Sequence, residues 1–171
     1  MPQTTVQLTQ NLAFEGQILT NQFGSIRGQA LRPYFNATTG TLSYGRAVVL
    51  ASGSLTNVIV PATTGQTPVG ITIFNDFDNE VLIDNLAFQG YRAYSEVSVL
   101  VKGGIDVVVW SEAATNYDDP VYFRYAGADN VTTFLGRFTN TATSNFTQYV
   151  GARFVWKTTG AGLSVVNIGG F

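Results

Sequence analysis

The feature of this sequence that most constrains its fold is a series of short β-branched segments, each closed by glycine, proline, asparagine or aspartate. Residues 96–102 (EVSVLVK) show it most clearly, because their valines occupy every second position, as in a half-buried β-strand. The pair Gly103 and Gly104 follows, and then a second valine-rich segment, residues 105–110. Glycine reaches the positive φ of tight hairpin turns. The pattern therefore predicts a β-hairpin centred on the two glycines.

Similar segments recur along the chain, whereas no run of helix formers has a period of 3.6 and proper end signals. Strands are predicted at residues 46–51, 57–60, 67–74, 81–86, 96–102, 105–110, 121–125, 131–138, 151–157 and 163–168. About nine or ten short strands with frequent turns are typical of a sandwich or barrel. The predicted fold is all-β, a jelly-roll-like sandwich or small β-barrel over residues 36–171.

The first 35 residues differ from the rest of the chain. They are rich in glutamine, asparagine and threonine, their apolar side chains are widely spaced, and glycines allow bends. We expect residues 1–35 to form an extended N-terminal arm on the body. The same pattern also fits a pair of edge strands belonging to that body, and the sequence leaves both interpretations open.

The chain contains no histidine and no cysteine. Histidine is the usual general base near neutral pH and the commonest transition-metal ligand. Its absence excludes Ser-His-Asp triads and HExxH zinc sites, and the absence of cysteine excludes disulfides and thiol chemistry. We expect a protein that is not an enzyme and that uses no cofactor and no metal.

Two acidic clusters are the remaining candidates for site chemistry. Asp76, Asp78 and Glu80 alternate in a way that could bring oxygen ligands to calcium, but the glycine and distal glutamate of a full calcium loop are missing. An acidic surface loop is the preferred interpretation. Asp118 and Asp119 stand before a proline. Adjacent strand residues point to opposite faces, so this pair predicts a turn rather than a catalytic site.

Low charge limits the partners of this chain. Only 12% of its residues are charged and the net charge is −2, against about 25% charged residues in ordinary domains. The basic residues are scattered singly, which argues against nucleic-acid binding. No segment approaches the roughly 20 apolar residues of a membrane span. The N-terminus lacks signal-peptide features, which predicts synthesis in the cytoplasm. A weakly charged, aromatic-rich chain favours docking in an assembly.

The order of several segments resembles the cement (decoration) proteins of tailed bacteriophages. The resemblance covers about three quarters of the chain, from Gly45 to the C-terminus, in keeping with an all-β architecture. The matching segments are GRAVVLASG, VIVPATTGQTPVGITIFND, EVSVLVKGGIDVVVWSEAATNYDDPVYFRYAG, FLGRF and GARFVWKTTGAGLSVVNI.

This resemblance implies a β-barrel or jelly-roll body that self-associates as a homodimer or homotrimer. It implies a partner, the major capsid protein, and a location on the outer capsid surface of the virion after synthesis in the host bacterial cytoplasm. The implied task is to bridge neighbouring capsomers and so stabilise the shell, through many copies that each bury apolar surface.

The contact residues are predicted from the residues themselves and form two groups. One group lies in the arm, as apolar and basic anchors for a groove of the shell or of a neighbouring copy: Phe14, Phe23, Ile26 and Arg27. The other lies where the arm joins the body, with residue types that dominate binding hot spots: Arg32, Tyr34 and Phe35.

Two other functional classes stay open from the sequence. Trp110, Trp156 and the tyrosines could line a sugar-binding face, as in a carbohydrate- or receptor-binding module of a phage tail fibre or spike. Trp110 has valine neighbours in a predicted strand, which also fits a core position. An enzyme ranks third, because it would need carboxylate-only chemistry of the glycosidase type.

Overall fold

The computed structural model describes residues 15–19, 31–74, 90–127 and 135–169. These residues form strands and no helix, which confirms the all-β prediction, and none of them belongs to a helix that could cross a membrane. The strands are β1 (Leu31–Asn36), β2 (Leu42–Ser43), β3 (Ala47–Leu50), β4 (Asn57–Ile59), β5 (Gly70–Thr72), β6 (Gly90–Tyr91), β7 (Glu96–Leu100), β8 (Ile105–Ser111), β9 (Pro120–Arg124), β10 (Phe138–Thr139), β11 (Phe146–Phe154) and β12 (Gly162–Ile168).

Five strands close into a first small barrel, in the order β1-β4-β3-β5-β7 and back to β1. β1 and β4 run parallel, and the other four neighbouring pairs are antiparallel. β2 and β6 pair separately and contribute Leu42 and Tyr91 to its core. This core consists of Tyr34, Leu42, Tyr44, Val48, Val58, Tyr91, Val97 and Val99.

The second barrel repeats the topology of the first. Its order is β8-β10-β9-β11-β12 and back to β8, with β8 and β10 parallel and the other pairs antiparallel. Strands β1, β3, β4, β5 and β7 therefore correspond in order to β8, β9, β10, β11 and β12. The small β-barrel prediction is confirmed, and the chain contains two such barrels of one design.

The hairpin predicted around Gly103 and Gly104 is wrong, although both of its strands exist. β7 pairs with β1 and β5 in the first barrel, whereas β8 pairs with β10 and β12 in the second. The two glycines, at φ 123° and 64°, carry the chain from one barrel to the other. Alternating valines indicate which side of a strand is buried but not which strand lies beside it.

The two barrels are joined by a shared hydrophobic core. The first barrel contributes Ala47, Ile71, Ile73 and Leu100 to it. A backbone hydrogen bond from Ala47 N to Gly136 O, 2.9 Å long, crosses the same boundary. The second barrel contributes Ile105, Val107, Val109, Val121, Phe123, Phe138, Tyr149, Ala152, Phe154, Val166 and Ile168. Separating the barrels would expose this apolar surface to water, which is unfavourable.

Residues 15–19, which we call the strap, bond to both barrels. β10 pairs with β8 only at Ser111. The strap runs antiparallel to β8 along the rest of that edge of β8, with Ile18 opposite Val107. On its other side, Gly16 O accepts a hydrogen bond from Phe74 N of the first barrel, 3.0 Å long. The bonds to β8 are Gly16 N to Val108 O (2.8 Å), Val108 N to Gln17 O (2.8 Å) and Leu19 N to Asp106 O (3.0 Å).

The strap also places a charged pair in the joint. Glu15 Oε2 lies 3.3 Å from Nη2 of Arg46, and both side chains are largely withdrawn from water. Desolvation raises the pKa of Glu15 despite the attraction of Arg46, and burial lowers the pKa of Arg46 to about 10. Both shifts mean that burial disfavours the charged forms. The pair therefore constrains how the strap sits more than it adds stability.

Parts of the predicted arm are thus built into the body. The strap is one of them. The other is β1, which begins at Leu31 and pairs with β7 from Leu31 to Phe35. The boundary predicted between residues 35 and 36 falls inside this strand. The predicted strand at residues 81–86 lies outside the described residues.

One edge of β1 is only partly covered. Within the described residues, β4 pairs with β1 at Phe35 and Asn36 alone. Phe35 N donates to Thr56 O on this side, whereas Asn36 N donates to Ser95 O on the β7 side. Pro33 shares the orientation of Phe35 because strand residues alternate. Proline lacks an N–H, so the open edge is a poor template for another strand.

We expect Gly16→Ala to destabilise the protein more than Gly53→Ala. Both glycines have positive φ, 83° and 73°, so both changes carry a backbone penalty of about 1 kcal/mol. A Cβ on Gly16 would lie 2.8 Å from Tyr44 Cβ and 2.9 Å from Phe74 N, whereas one on Gly53 would meet open space. The crowding should add about 1–3 kcal/mol. Urea unfolding measures both variants, and equal losses would contradict the strap geometry.

We expect Glu15→Gln to change how stability depends on pH. The pKa of Glu15 is raised on folding, so the folded state holds this proton more readily, and its contribution to the free energy of unfolding falls as pH rises through the raised pKa. The free energy of unfolding of the wild type minus that of the variant should therefore decrease as the pH rises above the ordinary carboxyl pKa. Urea unfolding at several pH values measures it, with Glu96→Gln as an exposed control. A difference that rises with pH would refute the assignment.

Candidate interaction surfaces

Exposed large apolar side chains occur on both barrels. Most of these side chains belong to two groups. Within each group, backbone hydrogen bonds join the segments that carry them. Exposed aromatic side chains on a weakly charged surface are typical of a docking site. The described residues with such side chains are Leu19, Phe35, Leu50, Leu55, Tyr94, Tyr117, Val150 and Trp156.

Phe35, Leu55 and Tyr94 form what we call the first patch, on the first barrel. Their exposed fractions are 49%, 85% and 73%. Phe35 lies on β1, which is flanked by β4 and β7. Leu55 lies just before β4, and Tyr94 lies just before β7. Backbone bonds from Phe35 N to Thr56 O and from Tyr94 N to Asn36 O, 2.9 and 2.8 Å long, tie these segments together.

The buried side chain of Asn36 fixes the chain around Tyr94. Its Nδ2 donates to Arg92 O at 2.9 Å and to Gly40 O at 3.1 Å. Its Oδ1 accepts from the backbone N of Thr38 at 2.9 Å. A buried amide satisfied in this way resists displacement. Tyr94 itself has φ 63°, a conformation that is uncommon for a non-glycine residue.

Tyr117 and Trp156 form what we call the second patch, on the second barrel. Their exposed fractions are 68% and 56%. Tyr117 lies in a turn in which Asp119 N donates to Asn116 O (3.4 Å), and three backbone hydrogen bonds join residues 115–119 to residues 154–158. The backbone bonds are Asp118 N to Phe154 O (2.9 Å), Phe154 N to Asp119 O (3.1 Å) and Thr158 N to Thr115 O (2.9 Å).

Polar side chains beneath the second patch hold its two segments. Oγ1 of the buried Thr115 donates to Trp156 O at 2.8 Å and lies 3.0 Å from Ser164 Oγ. Oδ2 of Asp119 accepts from Asn116 N at 2.8 Å and from Asn140 Nδ2 at 2.6 Å. The segment that presents Tyr117 is therefore bonded on both sides.

The predicted turn at Asp118 and Asp119 is confirmed. Asp118 adopts φ 65°, a left-handed conformation that aspartate tolerates better than most residues. Its carboxylate is exposed and its Oδ1 lies 3.7 Å from Arg153 Nε. Asp119 turns its carboxylate to the loop, so the two carboxylates serve different partners.

The structure describes three of the predicted contact residues. Arg32 and Phe35 are exposed, whereas Tyr34 lies in the core of the first barrel. The remaining predicted contacts lie outside the described residues: Phe14, Phe23, Ile26 and Arg27. Tyr94, Leu55 and Tyr117 were not among the predicted contacts.

Two other predictions concern ligands. No group of three or more acidic side chains suited to a metal occurs in the described part of the chain, and Asp76, Asp78 and Glu80 lie outside it. Of the two tryptophans proposed for a sugar-binding face, Trp110 is half-buried with the guanidinium of Arg137 5.1 Å from its ring centre. Trp156 is exposed.

Comparisons with known proteins agree with this geometry. A family model described as "Structural cement protein (E217 gp24/Pam3 gp6)" matches residues 2–169. A chain in the solved structure described as the capsid of Myoviridae phage XM1 has a TM-score of 0.64 and 15% sequence identity, and the match covers 100% of this chain and 98% of that one. At this identity the likeness concerns the fold alone. No curated protein has a significant match.

We expect Asp119→Ala to loosen the second patch, whereas Asp118→Asn should not. The alanine variant leaves Asn116 N and Asn140 Nδ2 without their acceptor, at a cost of about 1–3 kcal/mol. The asparagine variant removes a charge from an exposed, long ion pair, which is worth about 0–1 kcal/mol. Hydrogen exchange of residues 115–119, together with thermal unfolding, measures both. Similar exchange in the two variants would contradict the role of Asp119.

Proposed function

Because this chain belongs to the family of phage structural cement proteins, we propose that it binds the outer surface of a phage head and bridges neighbouring capsomers of the major capsid protein. Membership makes it a structural protein of the virion that stabilises the capsid. Bridging, the outer location and synthesis in the host cytoplasm are parts of the proposal, as is the absence of enzymatic activity.

The observation that carries the proposal is the exposed first patch on a rigid barrel. Phe35, Leu55 and Tyr94 expose apolar surface to water, which is unfavourable. Burying apolar surface contributes about 25 cal/mol per Å², and aromatic anchors dominate the energy of most interfaces. Few charges need to be desolvated, since only 12% of the residues carry one.

We propose Phe35 and Arg32 as contact residues, with Tyr34 packing beneath them in the barrel core. Arginine and aromatic side chains are enriched at interfaces for their fixed shape and multiple contacts. The arm residues keep their proposed role in contacting the shell or a neighbouring copy, and a homodimer or homotrimer is the proposed assembly. The arm residues are Phe14, Phe23, Ile26 and Arg27.

One observation favours the alternative, a carbohydrate- or receptor-binding module of a tail fibre or spike. Tyr117 and Trp156 are both exposed, on segments that backbone hydrogen bonds join, and sugar rings stack on exposed aromatic faces. The cement function ranks first because of the family to which the chain belongs. A rise in melting temperature with soluble saccharides would support the alternative.

We expect the protein to co-sediment with phage heads that lack it and to raise the temperature at which those heads release DNA. Phe35→Ser combined with Tyr94→Ser should weaken binding by roughly tenfold or more, as loss of hot-spot anchors costs at least about 1–2 kcal/mol. Val150→Ser is the matched control, because it removes an even more exposed apolar side chain outside both patches. Failure of the wild-type protein to bind heads would refute the cement function.

We also expect Phe23→Ser and Arg27→Ala to weaken head binding or self-association. These substitutions are preferable to deleting residues 1–30, because the deletion would remove the strap and its bonds to Val108 and Phe74. Sedimentation of the free protein and co-sedimentation with heads measure the two effects separately. Unchanged values in both assays would remove these residues from the contact surface.

A further inference from the structure

Docking through the first patch has an electrostatic consequence, because Phe35 shares its face of the sheet with a carboxylate. Phe35 on β1 lies directly opposite Glu96 on β7 in the antiparallel register. Directly opposite residues point to the same face, with their Cβ atoms about 4.5–5.5 Å apart. Both side chains are exposed, so this face is the outer one. A partner that covers Phe35 therefore also withdraws Glu96 from water.

Glu96 differs from the other described carboxylates in having no partner of its own. The described residues include six acidic side chains. No basic side chain among those residues lies within ion-pair distance of Glu96, and none of their side chains donates a hydrogen bond to its carboxylate. The other five each have a cation or a hydrogen-bond donor: Glu15, Asp106, Glu112, Asp118 and Asp119.

An unpartnered carboxylate beside a docking surface opposes docking unless the partner supplies a positive charge. Withdrawing an ionised carboxylate from water without a compensating charge carries a large free-energy penalty. That penalty would offset the gain from covering the ring of Phe35 with apolar surface. A cation on the partner removes the penalty, and it is also attracted to the face of an aromatic ring. The surface that covers Phe35 should therefore be basic at this point.

We propose that Glu96 determines the specificity of the first patch: the capsid subunit that covers Phe35 places a basic side chain, for which arginine is the best fit, against the Glu96 carboxylate. This inference rests on the proposed cement function and names the chemistry of the partner at the same surface. An arginine guanidinium stacks on aromatic rings and donates two hydrogen bonds to one carboxylate. The ring of Phe35 contributes affinity, and the ion pair selects the partner and its register.

The fold holds both residues in place for such a contact. Asn36, which follows Phe35, donates from its backbone N to Ser95 O at 2.9 Å and accepts at its O from Tyr94 N at 2.8 Å. Backbones that are already ordered lose little conformational entropy when they bind. In a chain with only 12% charged residues, a single carboxylate is also a large part of the charge pattern that a partner can recognise.

The test measures binding of the full-length chain to heads that lack it, for the wild type, Glu96→Gln and Glu96→Lys. Glu96→Gln should bind roughly 10- to 100-fold more weakly than the wild type, and Glu96→Lys more weakly still, because it brings like charges together. Between about 50 and 500 mM sodium chloride, the affinity of the wild type should fall because salt screens the ion pair. The affinity of Glu96→Gln should fall less over the same range.

Asp118→Asn is the matched control. It removes one negative charge from an exposed side chain on the second barrel, and asparagine tolerates the left-handed backbone at this position. This variant should bind heads as the wild type does, with the same dependence on salt. Urea unfolding separates docking from folding: the free energy of unfolding should be unchanged in Glu96→Gln, because the Glu96 side chain is exposed.

Three outcomes would overturn the inference while leaving the cement function intact. Head binding that is weakened by Phe35→Ser with Tyr94→Ser, but not by Glu96→Gln, shows that the partner presents no cation at this point. A salt dependence that is the same in Glu96→Gln and the wild type shows that the ion pair does not form. Dissociation of an oligomer of the free protein by Glu96→Lys assigns the basic side chain to a second copy of this chain. If the wild type itself does not bind heads, the cement function fails and the inference fails with it.

Discussion

The fixed relation between the two barrels depends on a five-residue strap that bonds to both of them. Gly16 donates to Val108 on one side and accepts from Phe74 on the other, and a Cβ at this position would crowd Tyr44 Cβ and Phe74 N. The shared core supplies the attraction, because the hydrophobic effect has no direction. The strap supplies the direction, because hydrogen bonds require a defined geometry and its backbone bonds to Val108 and Phe74 hold it against both barrels. Orientation and cohesion thus come from different interactions in the same joint.

The low charge of the chain is consistent with this architecture. Two small barrels that share a core have much apolar interior for their length, and threonine, serine and asparagine supply most internal polar contacts. Asn36 in the first barrel and Thr115 in the second are buried and hydrogen-bonded to the loops that display the exposed aromatics. Neutral polar groups cost less to bury than charges do. The scaffold can therefore be rigid beneath each patch without buried ions.

Most strands of the body and the turn at Asp118 could be predicted from the sequence, because period-two alternation and turn residues act locally, whereas β1 and the first half of β11 were not predicted as strands. The pairing of strands could not. The valines of β7 and β8 look alike, yet they face different cores, and the repeat of topology leaves no visible repeat in the residues. Trp156 and the tyrosines could be named as candidates for a binding face, but that the segments of Tyr117 and Trp156 are bonded to each other could not be anticipated, because these segments are distant in the sequence. Phe35 could be anticipated as an aromatic residue beside Arg32, but nothing local distinguished it from the buried Tyr34.

Within the described residues, part of one edge of β1 is unpaired, and this bears on how the proposed coat of such molecules would behave. Copies held side by side on a shell experience a very high local concentration, and under those conditions a bare strand edge would recruit its neighbours into a continuous sheet. Pro33 withholds a donor at this edge. In the proposed coat, such an edge would let each copy attach to the shell without extending the sheet of its neighbour, and it would also disfavour sheet-like polymerisation of the free protein.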